Sequence, residues 1–157
     1  MKSASYIDTP VGPLTVVTDA RAVKAIRFER HADAPRFDPA DPSLPAVLRQ
    51  TVAELQRYFA GELTIFTVPA DPEGTPFQRR VWEALQRIPY GTTCSYGALA
   101  AAIGRPKACR AVGMANHRNP IPILIPCHRV VGADGSLTGY AGGLAVKSFL
   151  LQLERRQ

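Results

Sequence analysis

The sequence predicts an α+β protein. A small α/β N-terminal domain with a β-sheet precedes a mostly helical C-terminal domain with a helix-turn-helix. Three observations point there. Residues 5–28 carry short β-branched and apolar runs broken by turn residues. Residues from 75 onward carry helix caps, glycine stops and apolar side chains three and four apart. Between them stands Asp71-Pro72-Glu73-Gly74, which reads as a boundary and gives domains 1–74 and 75–157. At 157 residues and 46% apolar content, the chain can bury one core, or two small ones.

In order along the chain, Thr9-Pro10-Val11-Gly12-Pro13 reads as a turn. Leu14–Thr18 reads as a strand, and Val23, Ala25 and Ile26–Phe28 as another after the Asp19-Ala20 turn. His31 to Pro45 holds four prolines and three aspartates and is expected to be a loop. Leu48, Val52, Leu55 and Phe59 fall on one face of a helix stopped by Gly61. Thr64–Val68 is expected to be a further strand. Thr75-Pro76-Phe77-Gln78 is a capping box with proline at the first helical position, followed by Phe77, Val81 and Leu85 on one face and the stop Pro89-Tyr90-Gly91. Ser95 caps a short helix through Ile103, Gly104 and Arg105-Pro106 make a turn, and a second helix runs from about Lys107 to Asn116. Helix, glycine turn, helix is the pattern of a helix-turn-helix, which many helical hairpins share.

Charge is divided unevenly. Residues 1–74 are net −2 and residues 75–157 are net +8. A half this basic fits a polyanionic partner, with plain surface solubility as its alternative. Cys94, Cys109 and Cys127 are odd in number and widely spaced, which does not read as an oxidised framework. No apolar run is long enough to span a membrane, and Met1 to Ser5 lacks the apolar core of a secretory signal. A reduced, cytoplasmic protein is expected.

On the helix after the turn, Ala108, Val112 and Ala115 share one face and are expected to pack inward. Lys107, Arg110 and Met114 then face outward. Ala108, Ala111, Gly113 and Ala115 make the helix thin, which allows a close approach to a duplex or, equally, close packing inside the protein.

The segment Asn119-Pro120-Ile121-Pro122-Ile123-Leu124-Ile125-Pro126-Cys127-His128-Arg129-Val130-Val131 carries the chemistry. Its prolines predict a stiff extended strand that presents Cys127 and His128. A cysteine attacks as thiolate, and a neighbouring imidazole can take its proton. Adjacent residues of a strand point to opposite faces, so direct cooperation needs a turn at Pro126-Cys127 or a bridging water. A structural pair and a cysteine hydrolase remain open at this point. Metal binding is not expected, because no Cys-x-x-Cys spacing exists, and haem attachment is excluded by Leu124.

Pro126-Cys127-His128-Arg129-Val130-Val131 resembles the active-site signature of the O6-alkylguanine-DNA alkyltransferases. Thr75–Trp82, Ile88-Pro89-Tyr90-Gly91, Ser95-Tyr96-Gly97 with Leu99-Ala100, Arg110-Ala111-Val112-Gly113, Asn119-Pro120 and Gly139-Tyr140-Ala141-Gly142-Gly143-Leu144 stand in the family's order and spacing. Residues 1–74 resemble the family more loosely, through Thr9 to Leu14 and Tyr58-Phe59-Ala60-Gly61.

The resemblance implies a ribonuclease-H-like N-terminal domain, a DNA-binding and alkyl-transfer C-terminal domain, and direct reversal of DNA damage. O6-methylguanine, with O4-methylthymine as a further substrate, is flipped from the duplex and its methyl group passes irreversibly to Cys127. By the same resemblance His128 is the base, acting through a water, and Glu154 orients it. Arg110 fills the gap in the stack, with Lys107, Ala111 and Met114 beside it on DNA. Tyr96 crowds the 3′ phosphate. Asn119 ties the recognition helix to the active-site strand. Tyr140, Ala141 and the Val130 and Cys127 carbonyls face the base. Where Ala141 stands some members carry serine, so a backbone amide remains without a hydroxyl. The expected partner is double-stranded DNA containing O6-alkylguanine, bound by a monomer with no cofactor, no metal and no membrane attachment. A non-catalytic helix-turn-helix lesion sensor is the alternative.

Overall fold

The computed structural model describes residues 2–155 and divides the chain into two compact units, one ending at Pro72 and one starting at Glu73. Among the described residues, no helix is long and apolar enough to cross a membrane.

The first unit is an antiparallel meander of β1 (Ser3–Thr9), β2 (Gly12–Thr18) and β3 (Val23–Arg27), with one helix, α1 (Ala46–Phe59). Thr9 pairs with Gly12 across a two-residue turn that needs φ of 97° at Gly12, and the Thr9 hydroxyl closes it on the Gly12 carbonyl at 2.7 Å. The next turn is shaped by Asp19, whose carboxylate accepts from the amides of Arg21 and Ala22 and is held below its ordinary range by them. Leu14, Val16, Ile26, Leu48, Val52 and Leu55 are buried at 3% exposure or less and form the core.

Two expectations fail here. Tyr58, not Phe59, is the aromatic residue of α1 that is fully buried; Phe59 is half-buried and meets Tyr58 edge-on at 5.3 Å. Thr64–Val68 is not a strand. Both have one cause. The chain after α1 folds back along its Thr51–Glu54–Tyr58 flank, where Phe66 packs on Tyr58 and the Glu54 carboxylate takes the Thr67 amide at 2.8 Å, the Thr67 hydroxyl at 2.6 Å and the Val68 amide. A side chain supplies the acceptors that a neighbouring strand would otherwise supply. Only at Val23–Ala70 does the segment make an isolated bridge to the sheet.

The second unit is mostly helical: α2 (Pro76–Leu85), the two-residue strand β4 (Cys94–Ser95), α3 (Tyr96–Ala102), α4 (Cys109–His117), a 3-10 turn (Cys127–Arg129), β5 (Val130–Val131) and α5 (Leu144–Arg155). Both halves of the capping box at Thr75 and Gln78 are made, and the Ser95 hydroxyl caps α3 on the Ala98 amide. Gly104 takes φ of 76° in the turn between α3 and α4. The second helix starts at Cys109 and not near Lys107, which lies exposed in the turn. Trp82, 2% exposed, donates its indole N–H to the Ala115 carbonyl at 2.8 Å and ties α2 to α4. β4 and β5 pair in parallel, Cys94 with Val130 and Ser95 with Val131, which fixes the start of α3 beside the 3-10 turn.

Candidate active site

The segment from Asn119 to Val131 is stiff, as its prolines require, but it is not extended. Ile121, Ile123 and Ile125 are each 1% exposed or less, and to bury all three the chain turns back, with the Ile125 amide on the Ile121 carbonyl and Ile123 at φ of 76°. A β-branched residue in the left-handed region costs about 1–3 kcal/mol. Asn119 holds the turn with both ends of its amide, accepting from the Ile121 N–H at 3.0 Å and donating to the Ile125 carbonyl at 2.8 Å. Proline fixes φ and leaves ψ free, so the run could fold where a strand was expected. The chain then enters the 3-10 turn at Cys127, which supplies the bend that lets Cys127 and His128 share one locality.

His128 is fully buried, and its Nε2 lies 2.6 Å from Oε2 of Glu154, itself 2% exposed on α5. Arg129 grips the same carboxylate, Nε to Oε1 at 2.8 Å and Nη2 to Oε2 at 3.1 Å, and Nη1 donates to the Ile88 carbonyl. The Gly91 amide points at Oε1 from 3.4 Å, and the Arg129 guanidinium lies over the Tyr90 ring. The turn Pro89-Tyr90-Gly91 thus forms one wall of the carboxylate site. The other imidazole nitrogen, Nδ1, is buried with no hydrogen-bond partner among the described residues.

Cys127 is 5% exposed. Burial pushes its thiol up to about 11, while Asn119, Tyr140 and the buried Lys147 ammonium pull the other way. The resting sulfur is therefore a thiol at neutral pH. Burial likewise pulls the His128 imidazole below its ordinary value, against the Glu154 carboxylate, so His128 rests neutral and able to accept a proton. A thiol, a neutral imidazole on the next residue and a carboxylate on that imidazole are the chemical elements of a nucleophile, a base and an orienting group.

The remaining residues separate into an inner and an outer set. Tyr140 and Asn119 lie against the thiol, and Val130 is buried in β5. Ala141 is exposed just before α5. Tyr96, at the start of α3, shares a 2.6 Å hydrogen bond with the Thr138 hydroxyl, and its ring lies along Gly113 of α4. Lys107, Arg110, Ala111 and Met114 are exposed, with Met114 at 56%, while Val112 and Ala115 are buried. The exposed face of α4 is therefore thin and carries Arg110, with Lys107 in the turn before it.

Sequence reasoning missed three contributors. Lys147 is buried on α5 and donates to the Thr138 carbonyl at 3.2 Å. Its signal was present: Lys147, Leu150, Leu151 and Glu154 form the inward stripe of an amphipathic helix, and a lysine in such a stripe needs a partner. Arg129 had a signal only in its adjacency to His128. Asn116, buried at the end of α4, points its amide at the Cys127 carbonyl from 3.4 Å, and no local pattern distinguishes it from a capping residue.

Comparison with known proteins adds a second, independent line. Residues 3–72 match the family model of the 6-O-methylguanine DNA methyltransferase ribonuclease-like domain, and residues 76–156 that of the DNA binding domain of the same family. A methylated-DNA–protein-cysteine methyltransferase of Methanosarcina acetivorans is 48% identical over 150 residues, covering 96% of each chain. One from Mycobacterium tuberculosis is 50% identical over 149 residues, covering 95% of this chain and 90% of that one. Among solved structures, Mycobacterium tuberculosis OGT in complex with DNA superposes with a TM-score of 0.87 at 46% identity, over 98% of this chain and 93% of that one.

Proposed function

The chain belongs to the 6-O-methylguanine DNA methyltransferase family, and from that premise we propose how its residues divide the work. The activity is DNA repair by transfer of a methyl group from damaged DNA to a protein cysteine. Cys127 is the acceptor. The observation that carries this is the 2.6 Å pair of His128 and Glu154 on the residue next to a buried thiol.

O6-Methylguanine enters the site from the duplex, extruded while Arg110 takes its place in the stack and Tyr96 presses on the flanking phosphate. Flipping costs a few kcal/mol, and a damaged pair resists least. His128 takes the thiol proton at Nδ1, directly or through a water, while Glu154 on Nε2 stabilises the imidazolium. Sulfur attacks the methyl carbon, the carbon–O6 bond breaks, and the electron pair stays with the purine oxygen. The proton then returns to the purine, leaving guanine and a thioether. Tyr140, the Ala141 amide and the carbonyls of Cys127 and Val130 hold the base, and Asn119 keeps the loop beneath the sulfur. Lys107, Ala111 and Met114 line the DNA beside Arg110.

Because a thioether has no return path, each molecule acts once. O4-Methylthymine presents the same methyl ether and is a further substrate. The protein acts as a monomer in the cytoplasm on duplex DNA containing O6-alkylguanine, with no cofactor and no metal. The non-catalytic sensor is not favoured, because the relatives that match over both domains are methyltransferases and the nucleophile is in place. In a single-turnover assay with duplex holding one O6-methylguanine, restored guanine should plateau at one per protein, and Cys127→Ser should restore none. Guanine exceeding the protein in amount would overturn the reading.

A further inference from the structure

Thr138, in the segment between β5 and α5, is held from two sides. Its hydroxyl lies 2.6 Å from the Tyr96 hydroxyl, and the two share one hydrogen bond. Its carbonyl accepts from the Lys147 ammonium at 3.2 Å. Lys147 is fully buried, so its charge needs that acceptor. Tyr96 is fixed at a second point, the flank of its ring, which lies along Gly113 of α4. Two residues past Thr138 stands Tyr140, buried against the Cys127 thiol. One residue therefore joins the tyrosine at the start of α3 to the segment that walls the thiol site.

We infer that Thr138 is a positioning residue for base extrusion: its hydroxyl sets where the Tyr96 side chain stands relative to the pocket that receives the base. This rests on the reading that Cys127 takes the methyl group and that Tyr96 presses on the flanking phosphate. The physical argument is one of fixed separation. Extrusion needs a group that displaces the DNA backbone and a pocket that accepts the base, and little is gained if the first gives way when loaded. Tyr96 opens a seven-residue helix, and its side chain is only half-buried. Packing on one flank leaves such a side chain loose, and a hydrogen bond from a neighbouring segment locks it. Thr138 can supply that restraint because Lys147 anchors its backbone. The two contacts use different atoms. A methyl in place of the hydroxyl removes the link to Tyr96, while the carbonyl, and with it the Lys147 anchor, stays.

The test uses the whole protein and Thr138→Val, which keeps the side-chain shape. Single-turnover rate constants are measured on duplex DNA holding one O6-methylguanine and on the free O6-methylguanine base, which needs no extrusion. Thr138→Val should slow the duplex reaction about fivefold, the worth of one hydrogen bond, and leave the free-base reaction unchanged. Thr138→Ser, which returns the hydroxyl, should restore the duplex rate. Thr138→Ala should behave as the valine variant does, which keeps the test usable if that variant folds poorly. In a Tyr96→Phe background, Thr138→Val should cost nothing more, because the bond is already gone. An unchanged duplex rate, a proportionate loss on both substrates, or a full further loss in the Tyr96→Phe background overturns the proposal. Methyl gain on the Cys127 peptide of the wild-type protein is scored separately. Its absence would fail the underlying activity, and its presence beside any of those three results fails the proposal alone.

Discussion

His128 and Arg129, neighbours in the chain, hold one buried carboxylate between them: Oε2 of Glu154 is 2.6 Å from the imidazole Nε2 and 3.1 Å from the guanidinium Nη2. The carboxylate therefore serves two cations or potential cations at once. Glu154→Gln keeps the shape, removes the charge and leaves Arg129 buried without its counter-ion. Breaking a buried pair in this way destabilises by about 3–5 kcal/mol. Losing the group that supports the imidazolium should slow methyl transfer by about 100-fold. Thermal denaturation and single-turnover kinetics on the same preparation check both. A wild-type rate in a folded Glu154→Gln protein would remove Glu154 from the mechanism.

The thiol and the imidazole make stability depend on pH at both ends. Burial raises Cys127 from 9.0 to about 11. From pH 9 upward the unfolded chain releases a proton that the folded chain keeps, so stability falls between about pH 9 and 11, by up to about 3 kcal/mol. Burial lowers His128 below 6.5. The unfolded chain therefore gains a proton below pH 6.5 that the folded chain resists, and stability falls as the pH drops further. Denaturant midpoints across pH should show both declines, with Cys127→Ala making the alkaline one shallower, since burial also pushes up Cys94 and Tyr90. An alkaline limb identical in Cys127→Ala would show that the thiol is not the group responsible.

Arg110 is exposed on α4. If it fills the space left by the flipped base, Arg110→Ala should slow repair of duplex DNA by at least about tenfold while barely changing reaction with free O6-methylguanine base, since flipping itself costs a few kcal/mol. Equal losses on the two substrates would place its role elsewhere. Binding of duplex should also weaken steeply with salt, because phosphate contacts release counterions.

Gly74 packs against Trp82, and a Cβ there would come within 2.5 Å of the indole ring. The ring is 2% exposed and bonded to Ala115, so it has little room to move. Gly74→Ala should destabilise by about 1–3 kcal/mol, as overpacking does, read as a lower midpoint in chemical denaturation. A neutral result would mean that the boundary segment shifts freely around the tryptophan.

Local signals carried much of this fold. The capping box at Thr75, the serine cap at Ser95, the positive φ at Gly61 and Gly104 and the apolar spacing of Leu48, Val52 and Leu55 each act within one turn of chain, so their residues declare them. The failures are long-range. Glu54 replaces a strand partner for Thr67 and Val68 from thirteen and fourteen residues away. Ile123 adopts a conformation its side chain disfavours because burying three isoleucines outweighs the strain. Within the site, Cys127, His128 and Glu154 were identifiable from resemblance, whereas the protonated resting thiol follows from burial, which only the folded chain has. Asn116 matters through what it faces, and nothing within a turn of it reveals that.

The most direct measurement is the mass of the Cys127 peptide after incubation with duplex DNA carrying one O6-methylguanine. A methyl in place of the thiol hydrogen, on that peptide and on neither the Cys94 nor the Cys109 peptide, in one-to-one proportion with restored guanine, is the predicted result. Restored guanine with an unmodified Cys127 peptide would contradict it.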